Sequence, residues 1–326
     1  MKIALFGSPA DPHCEALAAE ARRRGAEVAW VDPEALEREV PLRDDASGMS
    51  LGGVRIDDAG AALVRAVPLP SAPAVEREGE WVLHEDWFAG YMQSRERAAL
   101  YACWLRGLEH AGVPVVNPLE AGASVAFKPY QLRVLRRLGA PLPRTIITND
   151  PEEVRRLAAE VGEVVYKPLE GGALARLLDG AAAERLELLR KAPAIFQERI
   201  RGADVRVVLV GERLVSSVEV VTPEMGQHLD FRADPAYASG DAEYRPAPLP
   251  PEIERLCLGA VRACRLVVAG VDLKRSGDEW VFLELNSAPL YLDVERKTGA
   301  PISAAIIEEL ISRSTGGQAG RGPATL

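Results

Sequence analysis

The stretch GVDLKRSGDEWVFLELN, residues 270–286, constrains this chain more than any other. Two β-rich runs flank a Ser276-Gly277-Asp278 turn, so the segment reads as a hairpin. Val271 and Leu273 on one run, with Val281, Leu283 and Leu285 on the other, supply a common apolar face. Side chains alternate along a strand and a buried face fixes the register. Asp272, Glu284 and Asn286 are therefore expected together on the opposite side, sharing it with Trp280 and Phe282. Three hard oxygen donors suit Mg²⁺, which keeps waters and completes its shell with phosphate oxygens. The same residues also read as polar groups on a solvated strand face. The two aromatic neighbours argue for enclosure, where an unpaired carboxylate is costly.

At 326 residues the chain is long enough for two or three domains, and 48% hydrophobic with 27% charged residues is an ordinary globular balance. A formal charge of −9 speaks against a nucleic-acid partner. One basic stretch stands out: residues 121–149 contain no Asp or Glu but hold Lys128, Arg133, Arg136, Arg137 and Arg144, which points to a small anionic ligand. Four cysteines at unrelated spacings and four scattered histidines argue against zinc or disulfide frameworks. The opening MKIALFGSPADP is too short an apolar run for a signal peptide, and no stretch reaches membrane-spanning length. A cytoplasmic protein with reduced thiols is expected, with no membrane partner.

The chain opens as strand, helix and strand over Ile3–Phe6, Asp11–Arg24 and Val28–Val31, the start of a βαβ unit. Irregular hairpins are expected over 33–77, a helix over Ser94–His110 ending at Gly112, and a strand over Val113–Val116 before the Asn117-Pro118 turn. Helices follow at Pro129–Leu138 and from Asp150 to Gly162, then strands at 164–166, 194–197, 205–210 and 214–221, and a helix near 252–266. The fold class expected is α/β and α+β. The Gly-, Ser- and Thr-rich tail reads as disordered.

Three weaker signals accompany the hairpin. In VVYKPLEGG a strand ends at Lys167, and Gly171-Gly172 would let backbone approach a phosphate, although Lys-Pro before glycine is also an ordinary surface turn. Lys128 precedes a helix N-terminus, which offers free N–H groups to an anion, and a solvated lysine is the alternative. In FQERIRGADVRVVLVGE, a hinge at Gln197, Glu198 and Ile200 can meet an adenine edge, Asp204 can reach ribose hydroxyls, and Arg206 a transferring phosphate. The G-x-G-x-x-G and G-x-x-x-x-G-K-[ST] phosphate loops are absent.

These pieces, in this order, resemble the ATP-grasp superfamily over roughly Pro118–Leu310. The resemblance implies an ATP-grasp fold with an N-terminal α/β pre-ATP-grasp domain at 1–118, an N-lobe with a phosphate flap at 119–200, a C-lobe with the magnesium site at 201–312, and a disordered tail at 313–326. It implies ATP and Mg²⁺ as cofactors. Lys128, Lys167, Gly171 and Gly172 would serve the phosphates, Gln197, Glu198 and Ile200 adenine, and Asp204 the ribose; Asp272, Glu284 and Asn286 would hold magnesium. Arg206 would stabilise an acyl phosphate made from a substrate carboxylate and attacked by an amine or hydroxyl.

Within the superfamily, KPYQLRVLRRLGAPLPRTIITNDPEEV, VVYKPLEGG and FLELNSAPLYLDVERKTGAPI look like the graspetide maturases, which form side-chain lactams or lactones in precursor peptides. RimK-type glutamate ligases are the nearest rival, and residues 214–221 lack the arginine expected of them. The insertion GQHLDFRADPAYASGDAEYRPAPLP makes Asp230, Arg232 and Tyr244 candidates for contact with a precursor peptide or other carboxylate substrate, with a structural flap as the alternative. A non-catalytic nucleotide-binding regulator is a third reading, against which the intact metal-ligand set speaks. The sequence leaves the oligomeric state open, a homodimer included.

Overall fold

The structure, a computed structural model, describes residues 1–318 apart from 73, 78–79, 171–173, 224–228 and 230. The chain divides into two compact units, one of residues 1–119 with 303–326 and one of residues 120–302. Among the described residues no helix is long and apolar enough to cross a membrane.

In the first unit, β1 (Lys2–Phe6), α1 (Pro12–Arg23) and β2 (Glu27–Val31) form a βαβ unit with parallel strands. Asp11 caps α1 by accepting from the His13 N–H at 2.9 Å. Over 33–77 the expected hairpins are only part of what is present. β3 (Leu42–Asp45), β4 (Gly48–Leu51) and β5 (Val54–Arg55) make an antiparallel meander, but β6 (Ala61–Val64) joins the parallel sheet beside β1. Its four apolar residues follow Asp57, Asp58 and Gly60, which disguise a buried strand as a loop. A second hairpin, β7 (Ala74–Arg77) with β8 (Glu80–Leu83), precedes α2 (Trp87–His110). This helix starts about two turns before the expected Ser94, whose hydroxyl engages the backbone of Ser71 and Tyr91 at 2.9 Å. β9 (Val115–Val116) completes the sheet in the order β2-β1-β6-β9. Tyr101, Trp104, Leu105 and Leu108 of α2 pack on Ala4, Phe6, Ala62 and Val115, each large side chain contributing roughly 1.5–3 kcal/mol.

The second unit opens with α3 (Leu119–Ala126), which starts at the boundary, and α4 (Lys128–Arg137). β10 (Thr145–Thr148), α5 (Pro151–Val161), β11 (Val164–Lys167), β12 (Arg176–Leu177), α6 (Gly180–Glu184), a 3-10 turn at Leu186–Lys191 and β13 (Ala194–Glu198) follow. Their strands form an antiparallel sheet in the order β10-β13-β11-β12, with Val154 and Leu157 of α5 buried against Val164 and Phe196. Asp150 caps α5 and Gly162, at φ 80°, ends it.

The larger sheet takes β14 (Ala203–Val210) and β15 (Arg213–Val221), then, after a 3-10 turn at Phe231–Ala233 and α7 (Pro235–Ala238), β16 (Glu243–Pro246). α8 (Pro251–Ala263) leads to β17 (Val268–Ser276), β18 (Glu279–Asn286) and α9 (Leu292–Thr298), and the strand order is β16-β15-β14-β17-β18. One face of this sheet, with Val205, Val207, Val271 and Leu273, is buried with Leu135 of α4 and Ile253, Cys257 and Val261 of α8. The opposite face carries the candidate site.

α10 (Ile302–Gln318) belongs, from Ser303 onward, to the first unit. Two expectations are corrected here. Residues 303–312 do not group with the C-lobe, and 313–318 are helical where disorder was expected. The stripe Ile302, Ile306, Ile307 and Leu310 continues into Ser314, which is buried, so tertiary packing overrides the weak propensity of Ser, Thr and Gly.

Candidate active site

The β17–β18 hairpin places Asp272 opposite Glu284 and Gly270 opposite Asn286, as the alternation of side chains requires. Trp280 and Phe282 lie elsewhere than expected. Both are buried in the core with Leu285, while Leu283 is only half-buried and lines the site cavity. The cause is a bulge: Asp272 pairs with Glu284 but Leu273 pairs with Phe282, leaving Leu283 without a partner across the ladder. The extra residue shifts the alternation of β18 by one. Residues 280 and 282 therefore face the core before it, and 285 after it.

Across three strands the site is built in rungs. Arg206 of β14, Asp272 of β17 and Glu284 of β18 are register partners in sequence. Arg206 Nε lies 3.3 Å from Asp272 Oδ1, and Asn286 Nδ2 donates to Asp272 Oδ2 at 3.0 Å. Glu284 Oε1 is 3.1 Å from Nζ of Lys128, the buried first residue of α4. Two carboxylates are thus held between two cations, and beside them stands one carboxamide. This all-oxygen donor set fits a hard divalent cation, and among the described residues no group of three His, Cys, Asp or Glu forms a competing centre. In the next rung Asp204 is the register partner of Lys274, and Lys274 Nζ lies 2.8 Å from Asp204 Oδ2.

Lys128, Asp204, Asp272 and Glu284 line one cavity with Lys167 at the end of β11. Gln197, Glu198 and Ile200 of the hinge line it too, as does Arg232. Gln197 is buried and donates to Thr145 Oγ1 at 2.9 Å, and Glu198 Oε1 accepts from the Arg144 N–H at 2.9 Å, so both hinge side chains fasten β13 to the segment entering β10. The Lys128 N–H donates to Leu169 O at 2.9 Å, tying the start of α4 to the loop after Lys167. Arg206 stacks 5.2 Å from the centroid of Phe231, which packs with Val220 and Ala242 and so brings the insertion over this face.

Tyr244 is turned to α9. Its hydroxyl donates to Asp293 Oδ2 at 2.8 Å, and Lys297 Nζ sits 5.4 Å from its ring. Burial, then the Asp293 carboxylate, pushes its pKa up. Gly171, Gly172 and Asp230 lie outside the described residues. Sequence reasoning missed Lys274, Leu283 and Phe231. Lys274 stands two residues after Asp272 and could have been read from strand alternation; Leu283 required the bulge, and Phe231 the packing of the insertion.

A family model described as a RimK-like ATP-grasp domain matches residues 127–310, more than half of the chain. A protein of Shewanella amazonensis named "Probable alpha-L-glutamate ligase 2" is 32% identical over 248 residues, covering 72% of this chain and 79% of that protein. The structure of the ATP-grasp ligase PsnB complexed with a phosphomimetic variant of a minimal precursor, Mg and ADP is 32% identical with a TM-score of 0.79, covering 96% of this chain and 98% of that one. The macrocyclase MdnC of Microcystis aeruginosa, bound to precursor peptide MdnA, shares the fold at 21% identity and a TM-score of 0.76, over 95% of this chain and 99% of that one.

Proposed function

The chain belongs to the RimK-like ATP-grasp family of ligases, and from that premise we propose that it joins a side-chain carboxylate of a precursor peptide to an amine or hydroxyl. The observation that carries this reading is the charged rung Arg206–Asp272–Glu284, of which Asp272 and Glu284 line one cavity with Lys128, the hinge and Lys167. In this reading the β10-β13-β11-β12 sheet and the hinge hold the nucleotide, and the five-stranded β16-β15-β14-β17-β18 sheet holds the reacting groups. Ile200 meets adenine, Asp204 meets the ribose, and Lys128 and Lys167 meet the phosphates. The flap glycines, Gly171 and Gly172, are assigned to those phosphates as well.

Asp272, Glu284 and Asn286 would hold magnesium, which when bound neutralises charge on the phosphate oxygens. Arg206, oriented by Asp272 and by the Phe231 ring, presents its guanidinium to the group in transfer. A substrate carboxylate oxygen attacks the terminal phosphorus and ADP leaves. An amine or hydroxyl then attacks the carbonyl, and phosphate leaves with the original carboxylate oxygen. Lys128 keeps the rung from accumulating negative charge before nucleotide arrives.

The peptide reading is supported by the extent of the likeness to PsnB, 96% of this chain, and by the absence of an arginine from residues 214–221. The Shewanella amazonensis protein named "Probable alpha-L-glutamate ligase 2", matched over 72% of the chain, supports the rival. Incubating the protein with ATP, magnesium and a short acidic peptide encoded beside its gene, followed by intact mass measurement, separates them. Loss of one water per bond is expected; addition of a glutamate residue would instead establish the ligase alternative.

A further inference from the structure

Lys274 is a buried cation that neither the metal site nor the phosphate sites account for. It is 5% exposed, lines the cavity, and donates to Asp204 Oδ2 at 2.8 Å and to Gly202 O at 3.3 Å. An ammonium has three N–H groups, so among the described residues one is left for a ligand in the cavity. The backbone is shaped to make this arrangement. Gly202 has φ 147°, and a Cβ there would lie 2.4 Å from Arg275 O, so only glycine lets the chain after the hinge close on β17 and bring its carbonyl to Lys274.

The pair sits one rung from Asp272 and Glu284, about 7 Å along the strand, on the side of Gly202. A ligand reaching from the hinge to the carboxylates must pass it. Lys274 and Asp204 compensate each other, so the pair adds no net charge for a phosphate. What it offers is one donor beside one acceptor, the complement of neighbouring hydroxyls, each of which can accept one hydrogen bond and donate one.

We propose that Lys274 and Asp204 form a clamp for the vicinal diol of the nucleotide ribose, Lys274 donating to one hydroxyl oxygen and Asp204 accepting from the other. Lys274 is then a specificity residue for the ribonucleotide, and this rests on reading the cavity as the nucleotide site. The test is the dissociation constant of ATP and of 2′,3′-dideoxyATP, each with magnesium, by calorimetry on the full chain and on Lys274→Met and Lys274→Arg. Each ratio is read within one preparation, so a partly folded variant still reports it.

The wild type is expected to prefer ATP by about tenfold or more, as for hydrogen bonds to charged groups. Lys274→Met should bring the ratio to within about twofold, and Lys274→Arg, which keeps a charged donor, should recover part of it. A Lys274→Met ratio equal to the wild type's, or a wild type that binds both nucleotides alike, would overturn the clamp and leave the ligase reading standing. A wild type that binds neither would overturn both.

Discussion

Glu284 links the hairpin to α4, since it faces Asp272 across the strands and lies 3.1 Å from Lys128. Glu284→Ala is expected to lower magnesium-dependent turnover about a thousandfold, the scale of losing a principal electrostatic group, while unfolding free energy changes by less than about 2 kcal/mol. Paired rate and urea measurements check both halves, and an active variant would remove the metal assignment. Lys167→Ala should raise the dissociation constant for ATP about tenfold with little change in fold, since it ends β11 and faces the cavity. Unchanged affinity in calorimetry would count against its phosphate role. At this scale much was legible in the sequence. The alternation of β17 gave Asp272 its partners, because a period of two needs no knowledge of the rest of the chain. Tyr244 was not legible, because its environment depends on where α9 returns.

The hairpin is the element on which the site depends, and its bulge lets β18 serve two faces. Phe282 and Leu285 fill the core while Leu283 and Glu284 both face the cavity. Regular alternation over the same eight residues would send Phe282 to the site face together with Glu284. Deleting Leu283 removes the extra residue and makes Phe282 and Glu284 neighbours on opposite faces, so Glu284 should keep its place at the site and magnesium-dependent nucleotide binding should persist, which calorimetry with and without the metal would show; its loss would contradict the bulge. Phe282→Ala, by contrast, should cost about 3–5 kcal/mol in urea unfolding, the range for a fully buried aromatic. A cost near zero would mean that Phe282 is not the core residue described. The bulge escaped sequence reading because either strand alone alternates plausibly; only the pairing of Leu273 with Phe282 reveals the extra residue. β6 escaped for a related reason, its four residues being too few to display a period.

Across the whole molecule the cysteines report on both units. Cys14, Cys257 and Cys264 are buried, and burial pushes their thiols up to about 12, about 12 and about 11 from 9.0. An acid whose folded pKa is raised contributes stability that is present below its unfolded value and lost as pH rises through the folded one. Thermal stability should therefore decline between about pH 9 and about 12, and a thiol reagent at neutral pH should modify only exposed Cys103 until denaturant is added. Rapid modification of further thiols in the native protein would contradict the burial.

Domain organisation was partly legible at this scale. The turn after Val116 marks the change of unit, whereas the return of α10 to the first unit rests on long-range packing that local sequence does not encode. In the proposed reaction ATP activates a substrate carboxylate through the rung on the five-stranded sheet. This activation is tested most directly by supplying a modified peptide substrate whose side-chain carboxylates carry heavy oxygen, and measuring the mass of the phosphate released. Transfer of one heavy oxygen to phosphate for each bond formed is the predicted result, and phosphate free of the label would contradict it.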